Sequence, residues 1–389
     1  MKKYFVSIFS IIMVAIMLIN INSNMHVFAQ SQFEDMTARS YIVMDGSGNV
    51  LLEHNPNEKM EVASICKLMT TLITLEHLDS GNLKLDDKVV ASAYACSAEG
   101  SQAFLDSGSE YTIRDLLKSV IVASANDSAI VLAESIGGSE SNFVNMMNDK
   151  AKDLGMTNTL YANSTGLPAS NQYSTAYDTA LLLKVVSNYD IYREDCKIWM
   201  DKLVHPSGRT TELVNTNRLV KYYPNCITGK TGFTDEAGYC LSSTAEKNNL
   251  HLTCVVLGCD TMANRFTESM ELYNFAFANF TSEKVIDKST IIENNIKINR
   301  GKEDKIDVSA MYDYYLTKSR NDKSNYAIEY EMIDSINAPV QINDVVGVVR
   351  IKKDNNVVKE IPLVATNEIN KQNFKDIFGK VVDNFGLFR

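Results

Sequence analysis

The chain has 389 residues, of which 45% are hydrophobic and 22% are charged, a composition that is ordinary for a globular protein and excludes general disorder. This length is sufficient for a sizeable core and predicts two domains. The formal net charge of −10 argues against nucleic acid as a partner, because surfaces that bind nucleic acid are basic.

The first 29 residues differ from the rest of the chain. Lys2 and Lys3 precede an apolar run over residues 4–21, and a short polar stretch then leads to the small residue Ala29. A basic start, an apolar stretch and a small final residue are typical of a secretory signal peptide. The apolar run is long, so an uncleaved anchor is the alternative. We predict that residues 1–29 are a signal peptide and that the protein is exported.

A hairpin pattern leads to the first candidate catalytic pair. Strand-like residues 40–45 and 50–53 flank a Gly-Ser-Gly-Asn turn, and a polar loop then reaches Ser64 at the head of an apolar helix. Positions i and i+3 share a helix face, so the Lys67 amine can reach the Ser64 hydroxyl. A neutral, buried lysine can activate a serine, and the helix start favours developing negative charge. A capping serine followed by a solvated lysine is the alternative.

Two buried helices are predicted to meet at a break around residues 123–125. The first helix covers residues 112–122, and the second begins near Asn126. The break presents Ser124 and Asn126, which can point the same way in a non-helical turn. A hydroxyl there can pass a proton to a leaving group, and an amide can hold a substrate amide. Simple capping of the second helix is the alternative.

The third candidate element is the segment Lys230-Thr231-Gly232, on a strand that begins an antiparallel meander. A lysine on such a strand can bind a substrate carboxylate, and the two residues after it let a substrate backbone lie alongside. A solvated strand lysine is the alternative. A phosphate loop is excluded, because Pro224 replaces the glycine it requires and a strand follows instead of a helix.

The rest of the chain carries no further catalytic pattern. Residues 188–224 are predicted to be irregular, and residues 262–280 are predicted to form a last long helix packed on the sheet. Short strands rich in Ile, Val, Lys and Asn then predict a separate small β domain over residues 281–370.

The C-terminal residues 371–389 have the pattern of an amphipathic helix. Six apolar residues recur at helical spacing with the lysines off their face, and they are Phe374, Ile377, Phe378, Val381, Val382 and Phe385. The segment is terminal, rich in aromatic residues and shorter than a membrane span. It therefore predicts an in-plane anchor on the outer face of the cytoplasmic membrane. Packing on its own domain is the alternative.

Three motifs stand together along the chain in the order found in class A β-lactamases and penicillin-binding proteins. They are Ser64-x-x-Lys67, Ser124-x-Asn126 and Lys230-Thr231-Gly232. With residues 38–45 and 163–167, they make the sequence similar to the D-alanyl-D-alanine carboxypeptidases, low-molecular-mass penicillin-binding proteins of the serine peptidase group. The resemblance implies an α/β catalytic domain of the β-lactamase and transpeptidase type over residues 30–280, with an antiparallel sheet flanked by helices, before the small C-terminal β-rich domain.

The resemblance also implies a role for each residue of the first two motifs. Ser64 would be the acylated nucleophile, and Lys67 would be the general base that takes its proton. Ser124 would relay a proton to the leaving D-alanine, and Asn126 would hold the peptide amide. The function implied is a serine-type D-Ala-D-Ala carboxypeptidase that binds penicillin.

The third motif would bind the substrate. By the same resemblance, Lys230 and Thr231 would hold the terminal carboxylate beside Gly232, and the backbone N–H groups of Ser64 and Phe233 would form the oxyanion hole. The expected partners are peptidoglycan stem peptides ending in D-Ala-D-Ala, with β-lactams as covalent inhibitors. No cofactor is expected, and the scattered histidines offer no metal site.

Three alternatives to a carboxypeptidase stay open. A β-lactamase is disfavoured by the alanine at the centre of the second motif, where β-lactamases usually have aspartate, although Glu212 lies in a segment that faintly resembles theirs. An endopeptidase that cuts cross-links would use the same residues. A non-catalytic protein that binds the cell wall belongs to a different class, and the presence of every reactive side chain argues against it.

Overall fold

The computed structural model describes residues 33–293, 296–374 and 376. The predicted signal peptide lies outside these ranges, and only residues 371–374 and 376 of the predicted membrane anchor lie within them. The described residues form two compact units, of which the first ends at Ala278 and the second begins at Asn279. None of the helices in these ranges combines the length and the apolar composition that a membrane-spanning helix needs.

The first unit contains most of the helices and the longest sheet. Its helices are α1 (Lys67–Asp79), α2 (Ala93–Cys96), α3 (Ile113–Ala123), α4 (Asn126–Gly137), α5 (Glu140–Asp153), α6 (Ala176–Val186), α7 (Asp190–Cys196), α8 (Leu219–Tyr222) and α9 (Asn264–Asn279). Its strands are β1 (Ser40–Asp45), β2 (Val50–His54), β3 (Lys88–Val90), β4 (Glu110–Thr112), β5 (Met200–Val204), β6 (Thr210–Val214), β7 (Cys226–Thr234), β8 (Gly238–Lys247) and β9 (Leu250–Cys259).

A five-stranded antiparallel sheet in the order β2-β1-β9-β8-β7 lies between helices. Successive side chains of a strand point to opposite faces of a sheet. On β8, Ser243 Oγ lies 2.9 Å from Tyr273 Oη of α9, whereas Thr244 Oγ1 lies 2.6 Å from Thr228 Oγ1. Thr228 is in turn 2.9 Å from the hydroxyl of Ser187, which follows α6. Helices therefore cover both faces, and the predicted α/β architecture is confirmed.

Helix α1 is enclosed by the rest of the first unit. Every residue from 67 to 75 is buried, which is the pattern of a core helix rather than of a surface helix with one apolar face. Its buried hydroxyls find backbone acceptors: Thr70 Oγ1 donates to the Ser164 carbonyl at 2.7 Å, and Thr74 Oγ1 donates to the Thr70 carbonyl at 2.8 Å. The helix thus carries the Lys67 amine into the protein interior.

Side-chain caps explain where several helices begin. Thr112, Ser139 and Thr175 precede α3, α5 and α6, and the hydroxyl of each accepts the backbone N–H three residues further on, at 3.0–3.2 Å. Such a cap satisfies one of the backbone donors that a helix start leaves unpaired. These caps set the start of α3 and α5, which bear on the site described below.

The structure differs from the sequence prediction over residues 188–224. This stretch contains α7, the antiparallel hairpin β5–β6 and α8 instead of irregular chain. Each hairpin strand buries only one residue, Leu203 in β5 and Leu213 in β6. The apolar pattern is therefore too sparse to predict strands from alternation.

The second unit is built from strands. They are β10 (Phe280–Ile286), β11 (Lys297–Asn299), β12 (Val308–Ala310), β13 (Tyr314–Ser319), β14 (Tyr326–Met332), β15 (Ser335–Asn337), β16 (Val345–Lys353) and β17 (Asn356–Ala365). Four form an antiparallel sheet in the order β12-β17-β16-β14. The unit has its own apolar cluster, with Val308, Val349, Ile361 and Leu363 fully buried. A β-rich C-terminal domain is thus confirmed.

Candidate active site

The first candidate pair lies where a 3₁₀ turn, Ala63–Cys66, meets α1. Ser64 is the second residue of the turn and Lys67 is the first residue of α1. The sequence predicts one helix for both, whereas the structure tightens the first turn into 3₁₀ geometry, in which residues three apart eclipse each other. Ala63 has a φ of 48°, a left-handed conformation that is costly for a residue with a Cβ and concentrates at functional sites. The Ser64 hydroxyl consequently faces the Lys67 amine.

Lys67 is fully buried, and its amine contacts two oxygens. Nζ lies 2.8 Å from Ser64 Oγ and donates to the Thr165 carbonyl at 2.6 Å. Burial lowers the pKa of Lys67 to about 7, because the charged amine loses its hydration. Above neutral pH the amine is mostly neutral, so its lone pair can accept the proton of the Ser64 hydroxyl.

Ser124 occupies the break between α3 and α4. Its left-handed backbone, with φ 62° and ψ 31°, ends α3, and its side chain is buried. Lys230 Nζ donates to Ser124 Oγ at 2.7 Å. The N-cap of α4 is Ala125, which offers no side-chain hydrogen bond. The hydroxyl of Ser124 therefore faces a lysine instead of capping the next helix.

Asn126 is the first residue of α4 and is buried. Its Nδ2 donates to the Glu99 carbonyl at 2.5 Å, and its backbone N–H donates to the Ser101 carbonyl at 2.7 Å. The Nδ2 contact fixes the orientation of the amide, and Oδ1 has no hydrogen-bond partner among the described residues. An unsatisfied buried acceptor costs about 1–3 kcal/mol. Oδ1 is thus available to accept an N–H from a ligand.

Lys230 lies on β7 and is buried, so the alternative of a solvated strand lysine is wrong. Besides Ser124, its amine contacts the Thr231 carbonyl at 2.9 Å. Burial and the positive charges of Lys67 and Arg265 hold the pKa of Lys230 well below its ordinary value. A bound carboxylate would favour the charged form of the Lys230 amine, because an opposite charge nearby raises the pKa of an amine.

Gly232 brings β7 against the 3₁₀ turn that carries Ser64. A Cβ added at this position would lie 2.4 Å from the Val62 carbonyl oxygen, so a residue larger than glycine would push the strand away from Ser64. Arg265 of α9 fixes the same backbone from the other side, since its Nη1 donates to the Gly232 carbonyl at 3.1 Å.

The two other predicted residues of β7 have different surroundings. Thr231 is buried, and its Oγ1 donates to Thr216 Oγ1 at 2.8 Å. Phe233 is 48% exposed and stacks on Tyr239, with ring centroids 4.3 Å apart. Of the predicted site residues, Phe233 alone presents a large apolar surface to solvent.

Supporting residues were not predicted from the sequence. Asp127 is buried next to Asn126, and its carboxylate accepts the backbone N–H groups of Ala103 and Leu105 at 2.9 and 3.0 Å. It thereby holds the loop whose carbonyls contact Asn126. Arg265 likewise holds Gly232 by a hydrogen bond to its carbonyl, and the Thr165 carbonyl holds the Lys67 amine. These contacts join residues 22 to 98 positions apart. Of the three supporting residues, only Thr165 lies in a segment, residues 163–167, that carries the family resemblance.

The described part of the chain contains no group of three or more side chains that could hold a metal ion. The side chains that the site brings together are two serine hydroxyls, two buried amines and an amide. This set can supply a nucleophile, a base, a proton donor and a binding site for a carboxylate.

Two protein families match this chain. D-alanyl-D-alanine carboxypeptidase matches residues 26–261, and penicillin-binding protein 5, C-terminal domain, matches residues 280–371. D-alanyl-D-alanine carboxypeptidase DacF of Bacillus subtilis (strain 168) is 36% identical over 90% of this chain and 91% of its own. DacC of Escherichia coli (strain K12), with the same enzyme name, is 32% identical over 89% of this chain and 87% of its own.

A solved structure gives the same result. Penicillin binding protein 5 from Haemophilus influenzae has a TM-score of 0.72 and 29% sequence identity, covering 87% of this chain and 98% of that chain. These matches confirm the predicted family, the fold class and the serine carboxypeptidase function. The chain belongs to the D-alanyl-D-alanine carboxypeptidase family and carries the C-terminal domain of penicillin-binding protein 5.

Proposed function

We propose that this chain removes the terminal D-alanine from peptidoglycan stem peptides through an acyl-enzyme on Ser64, and that penicillin acylates the same serine. The observation that carries the proposal is a pair of lysine–serine contacts. Lys67 Nζ lies 2.8 Å from Ser64 Oγ, and Lys230 Nζ lies 2.7 Å from Ser124 Oγ. One pair supplies a nucleophile with its base, and the other supplies a proton donor.

The substrate binds by its terminal carboxylate and its backbone. The carboxylate lies against Lys230 and Thr231, where it pairs with the protonated form of the Lys230 amine and favours that form. The free Oδ1 of Asn126 accepts an N–H of the peptide, and Gly232 lets the peptide backbone lie along β7. These contacts place the last peptide bond over Ser64.

Acylation begins when neutral Lys67 takes the proton of Ser64 Oγ, and Oγ attacks the carbonyl carbon of the penultimate residue. Negative charge develops on the carbonyl oxygen, and the backbone N–H groups of Ser64 and Phe233 stabilise it. As the C–N bond breaks, Ser124 gives its proton to the departing amine of D-alanine and recovers one from Lys230. The product is an ester between Ser64 and the shortened peptide.

Water then attacks the ester carbonyl, Ser64 Oγ leaves and takes a proton from the water, and the acid product departs. The proton that Lys67 took is lost to solvent and Lys230 regains one from solvent, so both amines return to their starting states. Penicillin follows the same first step, but its leaving amine stays attached to the acyl group after the ring opens. The tethered amine remains where the water would approach, so the penicilloyl ester is expected to persist. A carboxypeptidase is thus distinguished from a β-lactamase by the lifetime of its adduct.

Intact-mass spectrometry tests the proposal on protein lacking residues 1–29. With penicillin we expect an adduct of one penicilloyl group that peptide mapping places on Ser64. With a peptide ending in D-Ala-D-Ala we expect release of D-alanine. Ser64→Ala should abolish both results, whereas Ser80→Ala, a matched change of an exposed serine just after α1, should affect neither.

The other outcomes identify the alternatives. Rapid hydrolysis of penicillin without a lasting adduct would contradict the carboxypeptidase and favour a β-lactamase. Faster cleavage of a cross-linked peptide dimer than of the D-Ala-D-Ala peptide would favour an endopeptidase. Neither adduct nor turnover would favour a non-catalytic protein that binds the cell wall.

The substrate lies outside the cytoplasm, and the sequence at both ends of the chain supports an exported, membrane-associated enzyme. Residues 1–29 have the pattern of a signal peptide, which would leave a mature chain starting at Gln30. Removing them leaves 36 basic and 48 acidic residues. Residues 371–389 have the amphipathic pattern of an in-plane anchor.

Paired variants in the tail test the anchor. Phe378→Ser with Phe385→Ser removes two aromatics from the predicted apolar face, so we expect the protein to move from the membrane fraction to the soluble fraction. Lys375→Gln with Lys380→Gln changes the opposite face and should leave most of the protein on the membrane. Persistent membrane fractionation after deletion of residues 373–389 would contradict the anchor.

A further inference from the structure

A carboxylate outside the catalytic motifs contacts the loop that holds Lys67. Glu140 is the first residue of α5 and lines a cavity of about 570 Å³ together with Tyr94 and Glu134. One carboxylate oxygen, Oε1, accepts both the backbone N–H and the hydroxyl of Ser164, at 2.9 and 2.6 Å. The other oxygen, Oε2, accepts the hydroxyl of Tyr94 at 2.8 Å. Three hydrogen bonds to one ionised group form a strong and directional anchor.

The loop anchored in this way reaches the catalytic amine one residue later. Thr165 follows Ser164, and its carbonyl accepts the Lys67 amine at 2.6 Å. The Ser164 carbonyl also accepts Thr70 Oγ1 of α1 at 2.7 Å. A short chain of contacts therefore runs from Glu140 through Ser164 and Thr165 to Lys67.

The loop cannot orient Lys67 by its internal bonds alone. Asn163 Oδ1 accepts the backbone N–H groups of Thr165 and Gly166 at 3.2 and 2.7 Å, which shapes the turn but does not place it. Placement requires bonds to other elements. Glu140 supplies two of them from α5, whose start is itself fixed by the Ser139 cap.

We propose that Glu140 is a positioning residue for the reaction: by holding Ser164, it fixes the Thr165 carbonyl that aims the Lys67 amine at Ser64 Oγ. The inference rests on the proposed function, because it gives Lys67 the role of base. Glu140 forms the hydrogen bonds described above with Ser164 and Tyr94 and not with Ser64 or Lys67. Its effect is on geometry, and a displacement of about 1 Å near a reacting pair costs about 10²-fold in rate.

The test separates binding from acylation with a fluorescent penicillin under single-turnover conditions. Glu140→Ala should lower the maximal acylation rate about 10²-fold while leaving the concentration of penicillin at half-saturation unchanged. Glu140→Gln keeps an acceptor oxygen for Ser164 and should recover most of the rate. Glu134→Ala, on the same cavity, is the matched control and should behave as wild type.

Each other result overturns the proposal. A wild-type acylation rate in Glu140→Ala would show that the loop holds its place without this carboxylate. A rate in Glu140→Gln as low as in Glu140→Ala would assign the effect to charge instead of position. A higher penicillin concentration at half-saturation, with an unchanged maximal acylation rate, would assign the effect of Glu140→Ala to binding.

Two milder variants keep the test decisive if Glu140→Ala does not fold. Ser164→Ala removes one of the two bonds to Glu140 and should lower the acylation rate below that of wild type. Tyr94→Phe leaves both bonds and should have the smaller effect. The reverse order would overturn the proposal. Failure of the proposed function is a separate result, since the wild-type protein itself would then form no adduct.

Discussion

Replacing Lys67 by methionine is expected to reduce acylation of Ser64 by penicillin about 10⁴-fold, the upper range for loss of a general base. Methionine keeps the unbranched apolar stem and removes the amine that lies 2.8 Å from Ser64 Oγ. The variant should fold, because a buried amine costs free energy and an apolar group of similar volume does not. Stopped-flow acylation and a thermal melt measure the two effects.

Lys67→Arg tests whether the amine acts as a base or only as a positive charge. A guanidinium is always protonated in proteins and cannot take the proton of Ser64. If Lys67 is the base, the arginine variant should be as slow as Lys67→Met. An arginine variant with near-wild-type acylation would contradict a base at this position and leave an electrostatic role.

The pH dependence of acylation follows from the same lysine. Burial lowers the pKa of Lys67 to about 7, and only the neutral amine can accept a proton. Acylation should therefore rise about tenfold per pH unit well below pH 7 and level off above about pH 8. If the midpoint of the pH profile lay near the ordinary pKa of a lysine, the Lys67 amine would be solvated when penicillin binds.

The candidate catalytic residues could be named from the sequence, whereas the residues that hold them in place could not. Ser64, Lys67 and Asn126 stand in short motifs whose spacing carries their chemistry. Glu140 and Asp127 have no such spacing, because they act on backbone groups 24 and 22–24 residues away across packed helices and loops. Contacts of this kind are set by tertiary packing and leave no local pattern.

The burial of Lys230 could also not be predicted from its own segment of the sequence. Taken alone, Lys230 fits a solvated strand lysine, since most lysines are exposed. It is buried because β7 is covered on this side by Ser124 and the break between α3 and α4, more than a hundred residues earlier in the chain. The three motifs together predict that Lys230 and Ser124 share one site, and the structure brings these two side chains into contact.

Replacing Gly166 by alanine is expected to lower the free energy of unfolding by more than about 3 kcal/mol and to abolish acylation of Ser64. Gly166 has a φ of 80°, and a Cβ added there would lie 1.9 Å from the Ala63 carbonyl oxygen and 2.9 Å from Cys66 Cβ. These atoms belong to the 3₁₀ turn that carries Ser64. The turn cannot accommodate the methyl group without moving Ser64 away from Lys67.

Gly155→Ala separates this clash from the cost of the backbone conformation. Gly155 has a similar φ of 73°, and no atom lies within 4 Å of an added Cβ. Its replacement should therefore cost only about 1 kcal/mol in urea unfolding and leave acylation unchanged. Equal losses in the two variants would mean that positive φ alone limits alanine at Gly166. We expect Gly166→Ala to lose more free energy of unfolding than Gly155→Ala, and its remaining folded protein to be acylated slowly. This result would mean that the loop over residues 163–167 sets the position of Ser64 as well as that of Lys67.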